Sequence, residues 1–303
     1  MVRLLRWHPP LILFSLLMTA LVLVSSIGMV VDDRVLVGSP IWFKPFKFSV
    51  SLALYGVTLA WMLTFVTRFR RTARWAGTVI AVALTAEMAV IIVQVLRGER
   101  SHFNTATPFD QLMWNVMTVT ILTMWIMHAV ISAVLARTRF TDRAAGAAIR
   151  LGLALALVGL ALGLLMTANV DSAEVAAGIV GSHSVGVPSG GEQMPLTGWN
   201  TTGGDLRVPH FVGIHALQVL PLAVILFRRR ATVSFAWAVA IGYAGLMALV
   251  TWQALRGQPL LRPDLFTALG ALVVATWTVG ASALALRARQ PERVRVEREA
   301  VSV

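Results

Sequence analysis

LILFSLLMTALVLVSSIGMVV, residues Leu11 to Val31, runs for 21 positions without a charged side chain. A helix rises about 1.5 Å per residue and the hydrocarbon core of a bilayer is about 30 Å thick, so roughly 20 apolar residues cross it. This stretch is therefore read as a membrane span. It is too long for the apolar core of a secretory signal, and no small-residue cleavage site follows it. Met1–Pro10, with Arg3 and Arg6, reads as the flank of a retained first helix.

Working outward, Phe48–Thr67, Leu151–Val170, Ala231–Leu255 and Leu265–Leu286 are equally free of charge. Trp75–Leu96 carries only Glu87, Gln111–Ala136 only His128, and Phe211–Phe227 only His215. The last of these is short, which moves its expected start back toward Val208. Of 303 residues, 57% are hydrophobic and 13% charged, against about 25% charged in soluble domains. The pattern predicts an all-α polytopic bundle of eight transmembrane helices in the plasma membrane. The chain has no cysteine. Disulfides, thiolate metal sites and cysteine nucleophiles are thereby excluded.

The net charge of +12 comes from short arginine clusters between the spans, the pattern of cytoplasmic membrane loops. It points to the lipid bilayer as partner and not to nucleic acid. Arg3 and Arg6, then Arg68, Arg70, Arg71 and Arg74, then Arg137, Arg139 and Arg143, then Arg228, Arg229 and Arg230, occupy every second connection. The tail adds Arg287, Arg289, Arg293, Arg295 and Arg298. Both termini are accordingly expected in the cytoplasm.

Two connections on the other side share a signature. Gln94-Val95-Leu96-Arg97-Gly98 is echoed by Gln253-Ala254-Leu255-Arg256-Gly257, and each precedes a Pro and an Asp, Pro108 and Asp110 or Pro263 and Asp264. Lys47-Phe48 with Ala53-Leu54 is matched by His210-Phe211 with Ala216-Leu217. These matches predict two parallel four-helix repeats, 1–145 and 146–290, the second with a long outer loop at 171–209. Residues 291–303 form a cytoplasmic tail.

Polar chemistry concentrates on the outer side. Lys44 and Lys47 are the chain's two lysines, either interfacial anchors or cations for an anionic group. Glu87 is an ionisable group inside a span, which marks a functional candidate because its burial must be compensated. Gln94 lies two turns further out on the same face. His102, His183, His210 and His215 all fall in the outer half, with His215 inside its span and Gln218 one turn on. The expected catalytic groups are Glu87, His102 and His215. The expected ligand contacts are Lys44, Lys47, Gln94, Asn104, Arg207 and Gln218. Neutral imidazoles at His102, His210 and His215 could hold a transition metal or haem iron. His210 and His215, five apart, diverge by about 140° around a helix, which favours His102 with His215. His128 reads as structural.

The segments Lys44–Phe48, Ser101–Asp110 and Gly203–Gln218, reading KPFKF, SHFNTATPFD and GGDLRVPHFVGIHALQ, resemble a family of bacterial integral membrane proteins of unknown function. The resemblance implies the membrane fold but no activity. The twice-four plan is also similar to haem A synthase, without its paired histidines or loop cysteines. Three functional classes stay open: a metal- or haem-dependent membrane enzyme with an outward-facing pocket, a transporter with a path past Glu87 between the halves, and a binding or sensor protein for a small molecule or ion.

Overall fold

The computed structural model describes residues 5–170 and 172–288. Arg3, the first residue of the long loop (Asp171) and the 291–303 tail lie outside these residues. Among the described residues, eight helices are long and apolar enough to cross a membrane. They are α1 (Pro9–Val31), α2 (Phe43–Leu63), α3 (Arg70–Arg97), α4 (Pro108–Ala136), α5 (Arg143–Leu162), α6 (Arg207–Leu226), α7 (Val233–Leu255) and α8 (Leu265–Arg287). The all-α, eight-span architecture is as expected. Strand is confined to two small antiparallel pairs, β1 (Val35–Leu36) with β2 (Ser39–Pro40) and β3 (Ser184–Val185) with β4 (Gly204–Asp205).

Five of the eight helices, α1, α4, α5, α7 and α8, start at a side-chain acceptor. Thr107 Oγ1 receives Asp110 N–H at 3.1 Å with Pro108 in the first turn. Asp142, Thr232 and Asp264 cap α5, α7 and α8 in the same way. Each such cap satisfies an N–H that the helix itself leaves open. The short sixth span begins at Arg207, one residue before the expected Val208. Pro263 stays outside α8, because Asp264 takes the cap position and the helix starts at Leu265.

Sequential helices pair as hairpins, α1 with α2, α3 with α4, α5 with α6 and α7 with α8. In the first half α3 also meets α1 and α2; in the second half α7 also meets α5 and α6. The halves join where α4 meets α5 and where α2 meets α6. The α5–α6 crossing is the most intimate. A Cβ on Gly159 would come within 2.4 Å of the Gly213 backbone, so only glycine allows this approach, as small residues do in membrane interfaces.

The long connection is folded onto the helix ends. Thr105 N–H donates to Gly178 O at 2.7 Å and Val180 N–H to Phe103 O at 2.8 Å, tying it to the α3–α4 loop. Gln193 Nε2 donates to Val37 O and Ser39 Oγ to Gln193 Oε1, tying it to the β1–β2 hairpin. Its interior is held by Asn200, whose side-chain oxygen accepts from Thr202 and Gly203 N–H. Asp205 accepts from Asn200 N–H and Arg207. The face under this connection is called outer below, following the orientation read from the arginines.

Candidate functional site

Lys44 and Lys47 occupy the first turn of α2, the wrong end of a helix dipole for a cation. Each is held there by a specific acceptor and is partly buried. Lys47 Nζ donates to Thr197 O of the long connection at 2.8 Å and lies 4.4 Å from the Phe43 ring centroid. Lys44 Nζ stands 3.0 Å from His102 Nδ1. With Lys44 as an ammonium, which has donors only, Nδ1 accepts and the ring proton sits on Nε2. That nitrogen faces Glu87 Oε1 at 3.9 Å, about 1 Å beyond hydrogen-bond length.

Glu87 is 4% exposed. It lies ten residues before the outer end of α3, about 15 Å along the axis. Its other oxygen, Oε2, accepts from Thr120 Oγ1 of α4 at 2.8 Å. Lys44, His102, Glu87 and Thr120 thus form one line from the outer rim into the membrane. Four elements, α2, the α3–α4 loop, α3 and α4, supply one member each.

His102 is aimed inward by its neighbours. Phe103 adopts φ +62°, a left-handed conformation uncommon for a bulky residue and costing roughly 1–3 kcal/mol. The Phe103 carbonyl is tied to the long connection, and its ring packs on Trp114 at 5.0 Å. Phe48 meets the imidazole edge-on at 5.6 Å. Burial, and then the Lys44 ammonium, hold the His102 imidazole well below its ordinary range. The ring is neutral at physiological pH.

The other expected site residues are distributed differently. His215 Nε2 lies 3.1 Å from Ser51 Oγ of α2, and its ring meets Phe211 at a tilt, with centroids 4.3 Å apart. Gln218 follows one turn on, with a buried Oε1 that has no hydrogen-bond partner among the described residues. His210 Nδ1 donates to Gly159 O at 2.8 Å, across the glycine crossing with α5. The expected metal set of His102, His210 and His215 is thus not assembled. Among the described residues no group of three His, Asp or Glu side chains could hold a metal ion. The reason is geometric: each ring is committed to a separate partner, His102 to Lys44, His210 to Gly159 O and His215 to Ser51.

Gln94, Asn104 and Arg207, expected as ligand contacts, are hydrogen-bonded within the scaffold. Gln94 Nε2 donates to Asp110 Oδ1 at 2.8 Å. Asn104 bonds Arg100 O and Ala106 N–H within its own loop. Arg207 pairs with Asp205 at 2.6 Å.

Sequence reasoning missed Thr120, Ser51 and Tyr55. A hydroxyl in an apolar helix reads as packing, and nothing around Thr120 distinguishes it. Ser51 and Tyr55 were findable, because Lys44, Lys47, Phe48, Ser51 and Tyr55 repeat at helical spacing on one face. Tyr55 Oη and His128 Nδ1 lie 2.8 Å apart, fully enclosed between α2, α4 and α5. His183, the fourth outer histidine, lies in the long connection, its imidazole pushed down to about 3 by burial and then by Arg207. No protein-family model, curated protein or solved structure matches this chain.

Proposed function

We propose that the chain is a plasma-membrane protein whose outer half works as an acid–base site. In this reading Lys44, His102 and Glu87 pass a proton between a small polar molecule under the 172–206 connection and a carboxyl inside the bilayer. The observation that carries it is the placement of one neutral imidazole between Lys44 Nζ at 3.0 Å and Glu87 Oε1 at 3.9 Å. A neutral imidazole accepts at one nitrogen and donates at the other, so it transfers a proton without changing net charge. An intramembrane carboxyl with a hydroxyl partner and a histidine above it is the composition of a proton relay. The class favoured is a membrane enzyme using general acid–base chemistry.

A second reading, proton-coupled transport, is supported by Tyr55 and His128. Thr120, Met124 and His128 follow one another on one face of α4. His128 lies eight residues inward from Thr120, about 12 Å. Polar groups therefore continue beyond Glu87, which the sequence reading of a bare inner half did not expect.

The relay is tested by infrared difference spectroscopy of the full chain in lipid nanodiscs. A carboxyl band that titrates with pH and vanishes in Glu87→Gln is expected, with its midpoint displaced by about one pH unit or more in Lys44→Gln. A Glu87→Gln spectrum identical to the unaltered one would sink the reading. Proton uptake into proteoliposomes that depends on Glu87 and His128 selects transport over catalysis. Two further parts of the reading, cytoplasmic termini and duplication of a four-helix unit, are supported by the arginine distribution and by the like pairing of helices in each half. Reporter fusions at Thr72, Thr141 and Arg229 should signal cytoplasm, and those at Glu99, Gly190 and Gln258 the outside.

A further inference from the structure

On the face opposite the long connection, three chain segments line an open cleft of about 350 Å³. This volume lies at the small end of the range for small-molecule sites. Arg6 and Trp7 precede α1, Leu63, Thr64 and Val66 end α2, and Arg70, Ala73 and Arg74 open α3. The three guanidiniums form no ion pair with a carboxylate among the described residues. Their hydrogen bonds use main-chain acceptors: Arg70 Nε donates to Val66 O at 2.9 Å and Arg74 to Trp7 O at 3.3 Å. Those bonds fix two of the three side chains in place and leave most of their donors uncommitted. An arginine carries five.

The depth of the cleft is indicated by tryptophan. Trp7 lines it, and Trp75, beside Arg74, is exposed; exposed indoles at span ends sit at the headgroup level of a bilayer. Basic pockets between helix ends at that level suit phosphate-bearing headgroups, and guanidinium forks match phosphate oxygens in pairs.

We propose that this cleft binds a phosphate group, supplied by the headgroup of an anionic phospholipid, which bridges the start of α1 and the start of α3. His8, buried beside it, already joins these starts through Nε2 to Arg74 O at 2.9 Å. A bound phosphate adds a counter-charge where Arg6, Arg70 and Arg74 now face one another unneutralised. The site is independent of the relay at the outer face.

The test is native mass spectrometry of the full chain, titrated with phosphatidylglycerol, with phosphatidylcholine, and in a separate arm with inorganic phosphate. Retention of phosphatidylglycerol over phosphatidylcholine is expected, weakened about tenfold or more in the triple variant Arg6→Gln, Arg70→Gln, Arg74→Gln. The variant Arg228→Gln, Arg229→Gln, Arg230→Gln removes as much charge from the same face and should change retention less than about twofold. Arg6→Gln alone, which touches no hydrogen bond of the fold, should weaken it partially and covers the case of a triple variant that fails to fold. Tight, arginine-dependent binding of inorganic phosphate without lipid preference would assign the same site to a soluble phosphate. Equal loss in the two triple variants, or no retention of either ligand, would overturn the proposal.

Discussion

The α3–α4 corner and the α7–α8 corner are built from the same parts and differ in what they hold. In the first, Gln94 Nε2 donates to Arg100 O, Glu99 N–H returns to Gln94 O, and Arg97 pairs with Asp110 at 2.6 Å. In the second, Gln253 Nε2 donates to Pro259 O, Gln258 N–H returns to Gln253 O, and Arg256 pairs with Asp264 at 2.7 Å. Gly98 and Gly257 turn both chains at φ +80° and +70°. With Gln94 laid on Gln253, Glu87 falls on Leu246 and His102 on Leu261. Both leucines are exposed, Leu261 by 66%, whereas Glu87 is 4% exposed. The comparison separates frame from chemistry. The Gln, Arg, Gly and Asp are needed to turn the chain; the carboxyl and imidazole are not, and they occur at the corner against which α2 packs, whereas the long connection touches both corners.

The sharpest way to break this comparison is to make the first corner like the second. Glu87→Leu with His102→Leu should abolish the titrating carboxyl band entirely while the protein still inserts and folds. Apolar replacement of a buried polar pair is often neutral or stabilising. Loss of folding in that variant would show that the relay is structural.

A smaller effect separates the two frames themselves. Asp110 is buried against Gln94, Arg97 and Thr107, so Asp110→Ala strands several donors and should cost about 2–3 kcal/mol. Asp264 is more open, and Asp264→Ala should lower thermal stability less in the same assay. Equal losses would mean that the covering of the first corner adds nothing.

The covering itself should respond to pH. His183 titrates near 3 when the connection is docked and near 6.5 when released. The released form binds more protons between those values, so docking is fully stable above about pH 6.5 and weakens as pH falls toward 3, by at most about 1.4 kcal/mol per unit. The lowered His102 acts in the same direction. Hydrogen exchange of 172–206 should therefore quicken from pH 7.5 to 5, and His183→Gln should flatten the change. A rate that is flat in the unaltered chain after correction for intrinsic exchange would contradict this. The smallest effect is expected at Gln218, whose Oε1 is buried without a partner. Gln218→Leu should leave stability unchanged or raise it by up to about 1 kcal/mol, read as a melting-temperature shift.

The lid-like folding of the long connection was legible in part. Few charges along it disfavour a free tether, and an indole such as Trp199 is a natural apolar anchor. Trp199 does meet Phe211 edge-on at 5.6 Å, but it is only partly buried. The enclosed residues include Asn200 and Asp205, whose side chains accept from the turn's own N–H groups. Such local bonding is common to Asn and Asp in any loop, and so gave no warning that these two are enclosed with Ile179, Ser182 and Ser184.

The sequence by itself determined the number and type of the spans, because a bilayer imposes length and polarity on each helix separately; their ends differ by up to eight residues, as at α5, which starts at Arg143 and not at the expected Leu151. It also marked Glu87 and His102, since an ionisable group near or within a span stands out against an apolar background. Only the tertiary structure decided which polar groups meet. Lys44 reaches His102 across 58 residues and Ser51 reaches His215 across 164, and no helical period encodes such pairings. The separation of His102, His210 and His215 has the same origin. Their shared depth was readable along each helix, but which way a ring points depends on how α2, α5 and α6 rotate to bury their neighbours.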